Sequence, residues 1–353
     1  MPKGVDKFEA GNPCQCRAFL GTHVNAACPR GRIVYVAIFR RDIEIAHHHE
    51  TRVQFGFALQ PARERLQPLE LVGEFFGARR LAIRHVQVDD AKVAHGRGEH
   101  TARRIVEVRR AHVPEAALEK LAAARRPNGE GFVRALRDGA SPRVIAECKR
   151  RSPSRGILRQ DYRPAEHAKA YAGAGAAAIS VLTEPTFFDG SLAHLQEVRA
   201  AVDLPILRKD FIVERYQILE AVASGADAIL LIVGAFEPGT LKVLLADAAA
   251  AGVAALVEVH GAVELRIAAD SGATLIGVNS RNLRTLAVEP DVHDQLAPLM
   301  PKGAVTVAES GLRTPDDLQR LARAGYDAFL VGERLIVQPD PGAALKVLRG
   351  VNA

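Results

Sequence analysis

The feature of this sequence that most restricts its fold is a repeating alternation of short apolar runs and helical stretches from about residue 111 onward. Several helical stretches end in glycine just before the next apolar run, as at Gly225 and Gly325, and glycine closes a helix cheaply in the left-handed conformation. The runs begin every 20 to 33 residues, which is the length of one βα unit. Eight strands are predicted: Val144–Lys149, Ala177–Leu182, Pro205–Lys209, Ala226–Val233, Ala254–Val259, Thr274–Asn279, Ala304–Ala308 and Ala328–Val331.

These runs are continuously apolar rather than alternating, which indicates strands buried on both faces of a parallel sheet. Eight βα units in this length predict an α/β fold of the closed (β/α)8 type, the TIM barrel. The alternative is an open doubly wound sheet, which normally carries a glycine-rich loop after its first strand. Here the first strand is followed by KRRSPSRG instead. Helical segments at Pro114–Ala124 and Gly131–Arg137 predict a helical lead-in to the barrel.

Residues 1–110 differ from the rest of the chain. They hold three of the four cysteines and seven of the 12 histidines, and their apolar runs show no sustained periodicity. They also hold 19 Lys/Arg against 12 Asp/Glu, whereas the remainder is close to neutral. We therefore expect two parts, a poorly structured extension over 1–110 and a catalytic barrel over 111–353, and the barrel's charge gives no reason to expect nucleic acid.

The cysteines of the extension raise the question of a zinc site. Cys14, Cys16 and Cys28 could be combined with His23 or with the histidines at 47–49. However, a C-x-C followed by a lone cysteine lacks the paired spacing of a structural zinc module, so no metal is expected. Four cysteines without a framework pattern, no secretory signal and no apolar run of about 18 residues predict a cytoplasmic protein that does not enter a membrane.

Charged and amide side chains gather where the predicted strands end, and in a barrel these ends surround the active site. Residues two apart in a strand share a face, so Glu147 and Lys149 point the same way and Cys148 points the other. By the same rule Lys209, Glu258 and Asn279 follow inward residues, with Arg281 beyond Asn279. Acids, bases and an amide sharing one pocket are suited to acid–base chemistry, and we expect lysines in a dry pocket to act as acids near neutral pH.

The last two loops suggest a phosphate site. Ser310, Gly311 and Gly332 each follow a strand, and glycine lets backbone N–H groups approach an anion. Phosphate binding after strands 7 and 8 recurs in this fold. Glu333 would repel phosphate, so its side chain is expected to point away and leave its N–H for binding.

Six motifs together resemble indole-3-glycerol-phosphate synthase, a family of tryptophan biosynthesis. They are ECKRRSPS at 147–154, SVLTE at 180–184, FFDGS at 187–191, LRKDFI at 207–212, GVNSRNL at 277–283 and AESG at 308–311. The resemblance extends over about 112–350 and leaves 1–110 unrelated. It implies decarboxylative ring closure of 1-(2-carboxyphenylamino)-1-deoxyribulose 5-phosphate to indole-3-glycerol phosphate, CO2 and water. It implies no metal or organic cofactor, and an anionic small molecule as the substrate.

The resemblance also implies roles for individual residues. Lys209 would be the general acid, Glu258 would transfer protons in the dehydration, and Lys149 would bind the anthranilate carboxylate. Glu147 would orient the lysines, and Asn279 would bind substrate hydroxyls. The implied substrate-binding residues are Ser152 near the carboxylate, Phe188, Phe211 and Leu231 around the ring, Arg281 as a brace, and Ser310, Gly311, Gly332 and Glu333 at the phosphate.

Three alternatives stay open at this point. Phosphoribosylanthranilate isomerase would use a Cys/Asp pair, against which the outward direction of Cys148 argues. An aldolase would form a Schiff base on Lys209. The barrel could also be inactive, with 1–110 as a binding module. The expected partners are the small substrate alone, with neither nucleic acid nor membrane, in a monomer or weak homo-oligomer.

Overall fold

The computed structural model describes residues 24–27, 33–36, 95–236, 239–282 and 285–351. The chain divides into two units, residues 1–88 and 89–353. In the first unit, strands β1 (Val24–Ala27) and β2 (Ile33–Val36) pair antiparallel. The cysteines and histidines considered for zinc lie outside the residues whose side chains are described.

Three helices precede the barrel: α1 (His95–His112), α2 (Glu115–Ala123) and α3 (Gly129–Asp138). Residues 95–112 form one helix that buries Ala102 and Val106, and this helix spans the boundary predicted at residue 110. An Asn128 side chain caps α3 by accepting the Gly131 N–H at 2.8 Å. The helical lead-in is thus confirmed and is longer than the sequence indicated.

Eight parallel strands close into a barrel, as predicted. Each strand pairs with its neighbour in chain order, and the last pairs with the first. A two-stranded hairpin, β4 (Arg151–Ser152) and β5 (Gly156–Ile157), occupies the loop after the first barrel strand. The barrel strands are β3 (Arg143–Cys148), β6 (Ala178–Leu182), β7 (Ile206–Lys209), β8 (Ala228–Ile232), β9 (Ala254–Val259), β10 (Leu275–Asn279), β11 (Val305–Glu309) and β12 (Ala328–Val331).

Helices cover the outside of the barrel. Two of them, α7 (Arg215–Ser224) and α11 (Pro315–Ala324), end at Gly225 and Gly325 with φ values of 104° and 107°, so the predicted left-handed glycine caps are present at these positions. The helices that follow the first barrel strand are α4 (Pro164–Gly173), α5 (Pro185–Phe188), α6 (Leu192–Ala201), α7 (Arg215–Ser224), α8 (Thr240–Ala250), α9 (Ala262–Asp270), α10 (Asp291–Leu296), α11 (Pro315–Ala324), α12 (Glu333–Ile336) and α13 (Pro341–Leu348).

The strand residues divide between two apolar cores according to their parity. Leu207 and Leu256 face the lumen, where Phe132 and Leu136 of α3 also pack. Their neighbours along each strand face the helices in the outer core. Because alternate residues point inward, a polar residue in step with the lumen side chains at the end of a strand enters the mouth of the barrel. Among the described residues, no helix is both long enough and apolar enough to cross a membrane.

Candidate active site

A cavity of about 450 Å³ opens at the carboxyl ends of the strands. It brings together 13 of the 14 predicted site residues: Glu147, Lys149, Ser152, Phe188, Lys209, Phe211, Glu258, Asn279, Arg281, Ser310, Gly311, Gly332 and Glu333. Leu231 is the exception. It is buried in the outer core, while Leu230 and Ile232 line the cavity. The expectation for Leu231 was wrong because residues 230 and 232 occupy the inward positions of β8.

Lys209 is the central cation of the cavity. Its Nζ lies 2.9 Å from Glu258 Oε2 and 3.4 Å from Glu309 Oε2. Burial opposes the charge of Lys209, but the two carboxylates outweigh burial and raise its pKa above the ordinary lysine value. Lys209 holds its proton at neutral pH.

Glu258 is a buried carboxylate held by several donors. Its Oε1 accepts the Asn279 amide N–H at 3.0 Å, and its Oε2 accepts from Lys209. Burial raises its pKa, but Lys209, His260 and Asn279 together lower the pKa well below the ordinary glutamate value. Glu258 is therefore ionised at neutral pH and available to accept a proton.

Glu309 is a member of the site that the sequence reasoning missed. It is 2% exposed, and burial together with the nearby carboxylates raises its pKa to about 8 against the opposing effect of Lys209. Its Oε1 has no hydrogen-bond partner among the described residues. A Cβ on Gly277 would lie 2.1 Å from that oxygen, so glycine at 277 makes room for it. The signal was present in the sequence, because Glu309 has the inward parity of Val307.

Glu147 and Lys149 form the ion pair that their spacing predicts. Lys149 Nζ lies 2.7 Å from Glu147 Oε1, and both side chains are largely buried. A Cβ on Gly332 would lie 2.2 Å from the same carboxylate oxygen. Cys148 is buried in the outer core, as its parity predicts, and burial raises the pKa of its thiol. This thiol is not among the groups that line the cavity.

The loop after β3 folds over the rim of the cavity. Arg150 forms an ion pair with Asp189, which follows α5. Ser152 is buried and lies 3.5 Å from Ser154, measured between the hydroxyl oxygens. Arg155 Nη1 donates to Glu333 Oε1 at 2.8 Å. The loop is thus tied to both sides of the cavity mouth.

The rim at the ends of β11 and β12 carries groups suited to an anion. Ser310 and Gly311 have φ values of 67° and 73°, which form a tight left-handed turn. Arg313 and Arg334 line the cavity nearby. The Glu333 carboxylate is engaged by Arg155, so its negative charge is balanced.

Comparison with known proteins shows which family this chain belongs to. A family model described as "Indole-3-glycerol phosphate synthase" matches residues 99–348. The chain belongs to this family. An indole-3-glycerol phosphate synthase from Nocardioides sp. is 54% identical over 214 residues, covering 61% of this chain and 82% of the relative. One from Chlorobium phaeovibrioides is 48% identical over 239 residues, covering 67% of this chain and 92% of the relative. Indole-3-glycerol phosphate synthase 2 of Streptomyces coelicolor is 51% identical over 242 residues, covering 69% of this chain and 93% of the relative.

The indole-3-glycerol phosphate synthase match begins earlier than the sequence motifs indicated. It starts at residue 99, within α1, rather than at about 112. The first helix therefore belongs to the family region. Arg109 of this helix reaches Glu220 of α7 at 3.0 Å, and Gly98 lies against the ring of Phe211.

Aromatic and amide groups complete the family site. The rings of Phe188 and Phe211 lie with centroids 6.4 Å apart. Asn279 Oδ1 accepts the Arg281 backbone N–H at 2.9 Å, and the Arg281 side chain donates to the Leu286 carbonyl at 2.8 Å. Arg281 thus ties the loop after β10 to the cavity rim. Among the described residues, no group of three or more His, Cys, Asp or Glu side chains is arranged to hold a metal ion.

Proposed function

We propose that this chain catalyses the decarboxylative ring closure of 1-(2-carboxyphenylamino)-1-deoxyribulose 5-phosphate to indole-3-glycerol phosphate, CO2 and water, a step of tryptophan biosynthesis. The observation that supports it most is the position of Lys209 between the buried carboxyl groups of Glu258 and Glu309, in the cavity of a chain that belongs to the family. The catalytic unit that we propose begins with α1. The cytoplasmic location stays a prediction.

The proposed substrate has an anionic group at each end, and the cavity offers a cationic or N–H-rich region for each. Lys149 and Ser152 suit the anthranilate carboxylate. The backbone N–H groups of Gly311 and Gly332, with the Arg313 guanidinium, suit the phosphate. Phe188 and Phe211 suit the aromatic ring between these ends. Binding in this pose sets the reacting carbon atoms side by side.

The first step that we propose is ring closure. The aromatic carbon that carries the carboxylate attacks the ketone carbon, and Lys209 gives its proton to the ketone oxygen, which becomes a hydroxyl group. Loss of CO2 then leaves its bonding electrons in the ring and restores aromaticity. The raised pKa of Lys209 ensures that the proton is present before the reaction.

The second step is dehydration. The new hydroxyl group leaves as water with a proton from Lys149, and Glu258 takes a proton from the neighbouring carbon. The electrons of that C–H bond form the double bond of the indole. The ionised state of Glu258 suits it to accept this proton.

Two alternative functions are disfavoured by specific observations. An isomerase that uses a Cys/Asp pair would need a thiol in the cavity, and Cys148 is buried on the other side of β3. A Schiff-base aldolase would need a neutral lysine amine, and the carboxylates around Lys209 keep it protonated.

The test is fluorescence detection of indole-3-glycerol phosphate formed by the purified full-length chain, with Lys209→Ala as the variant. We expect turnover to fall by ~100- to 10,000-fold, because the general acid is lost. Lys302→Ala removes an exposed lysine outside the cavity and serves as the control. Far-UV circular dichroism checks that both variants are folded. Near-normal turnover in a folded Lys209→Ala variant would refute the assignment.

A further inference from the structure

His260 lies directly behind Glu258 and is not a wall of the cavity. It follows β9 by one residue and shares the inward parity of Glu258. Its Nε2 lies 3.3 Å from Glu258 Oε1, and its Nδ1 lies 3.3 Å from Glu264 Oε2. The side chain is 14% exposed. The imidazole ring thus bridges a buried catalytic-site carboxylate and a second carboxylate nearer the surface.

The local fold fixes the ring in this place. Glu264 lies in the first turn of α9, and its Oε2 also accepts the His260 backbone N–H at 2.8 Å. The same carboxylate therefore holds both the backbone and the side chain of His260. Both ring nitrogens face carboxylates, which accept hydrogen bonds and do not donate them. Each nitrogen therefore makes its most favourable contact when it carries a hydrogen, and both carry one only in the doubly protonated imidazolium. Burial lowers the pKa of His260, but Glu258 and Glu264 outweigh it and raise the pKa to about 10.

We propose that His260 is a positioning residue for Glu258, whose imidazolium holds that carboxylate in place and in its ionised form without touching the substrate. The inference rests on the proposed function and adds a residue to it. His260 does not line the cavity and does not need to, because it acts on the reaction through Glu258.

The need for a second cation follows from the reaction. Lys209 faces Glu258 from β7 and supplies its nearest positive charge, and Asn279 on β10 supplies a neutral donor. When Lys209 gives its proton to the substrate, its charge disappears. A carboxylate that is 1% exposed would then lack a counter-charge and would tend to take up a proton. His260 keeps its charge through this step, so Glu258 stays ionised for the dehydration.

The remaining neighbours do not supply that charge. The 3-10 turn Val233–Ala235, which packs against β9 and α9, has no ionisable side chain. Glu309 faces Lys209 from β11, and a carboxyl group carries no positive charge in either protonation state. Among the described groups that face Glu258, His260 is thus the cation that takes no part in the proposed proton transfers.

The first test does not depend on activity. The full-length chain labelled with 13C and 15N in histidine is titrated by NMR, and the His260 signal is identified by its loss in His260→Gln. We expect the ring to remain doubly protonated from pH 6 to about 9 and to titrate at a lower pH in Glu264→Gln. A ring that titrates near the ordinary pKa of about 6.5 would overturn the proposal whether or not the chain makes product.

The second test separates positioning from folding. His260→Gln keeps an amide donor but removes the charge, and His260→Phe removes both. We expect kcat at pH 7 to fall about tenfold in the first variant and about 100-fold in the second, with KM within about twofold of wild type. The acidic limb of the kcat profile should move up by roughly one pH unit in His260→Gln, since Glu258 then protonates more readily.

His112→Gln is the matched control, because it changes an exposed histidine at the end of α1. An unaltered kcat and pH profile in His260→Gln would overturn the proposal, and so would a loss of kcat explained by a lower unfolding midpoint with the profile unmoved. A wild-type chain that forms no indole-3-glycerol phosphate counts against the proposed function instead, and the NMR titration still decides the state of His260.

Discussion

Substitution of Glu309 by glutamine tests the electrostatics of the site through stability. The carboxyl group is almost wholly buried, and burial with the neighbouring carboxylates raises its pKa from 4.5 to about 8. Below pH 4.5 the folded and unfolded states both bind the proton, so the group has no effect on stability. Between pH 4.5 and about 8 the unfolded state releases the proton while the folded state keeps it. The free energy of unfolding therefore falls as pH rises through this window.

The magnitude follows from the width of that window. Each pH unit corresponds to about 1.4 kcal/mol, so complete burial would remove roughly 5 kcal/mol by pH 9. The cavity is open to water at its mouth, which solvates part of the charge, so we expect about 2 to 4 kcal/mol. Glutamine has nearly the shape of the protonated acid and does not ionise. Glu309→Gln should therefore be more stable than wild type by about that amount at pH 9, and nearly equal to it at pH 5.

The assay is urea unfolding of the full-length chain at pH 5 and pH 9, followed by far-UV circular dichroism. Glu130→Gln is the control, because the Glu130 side chain is 93% exposed on α3 and should give the same difference from wild type at both pH values. If Glu309→Gln and wild type differ equally at both pH values, or if the variant is less stable at pH 9, the assigned protonation state of Glu309 is refuted.

Three further substitutions test other parts of the structure. Gly332→Ala places a Cβ 2.2 Å from the Glu147 carboxylate, so we expect kcat/KM to fall about tenfold or more with little loss of stability, measured by steady-state kinetics. Phe132→Ala removes a fully buried ring at the base of the lumen and should lower the free energy of unfolding by about 3 to 5 kcal/mol in urea titrations. Arg208→Met leaves Asp210 without its cation and leaves Glu220 with Arg109 alone, so a loss of about 3 to 5 kcal/mol is expected at pH 7, and a loss below about 1 kcal/mol would contradict the buried ion network.

Local patterns in the sequence were sufficient to predict the barrel and most residues of the candidate site. The strands differ from their predicted bounds by at most two residues at either end, because continuous apolar runs and glycine closures are short-range signals. The gathering of Glu147, Lys149, Lys209 and Glu258 also followed from the sequence. Strand parity fixes which way each side chain points, and closure of the barrel brings all strand ends to one mouth.

Strand parity also explains why two residues were assigned wrongly from the sequence. Leu231 was carried over from the family resemblance, although it alternates with the inward Leu230 and Ile232. Glu309 was passed over, although it continues the inward series of β11. In both cases the alternation of inward and outward residues along the strand gives the correct direction of the side chain.

The charge states were decided only by the tertiary structure. The pKa of Lys209 is raised because Glu258 and Glu309, from two distant strands, converge on one ammonium group, and a pKa responds to separations of a few ångströms that no local pattern records. The pairing of His260 with both Glu258 and Glu264 depends in the same way on how β9 enters α9. The sequence by itself determined which side chains face the mouth, since that depends on backbone periodicity, and the closed barrel decided which of them hold protons, since that depends on distance.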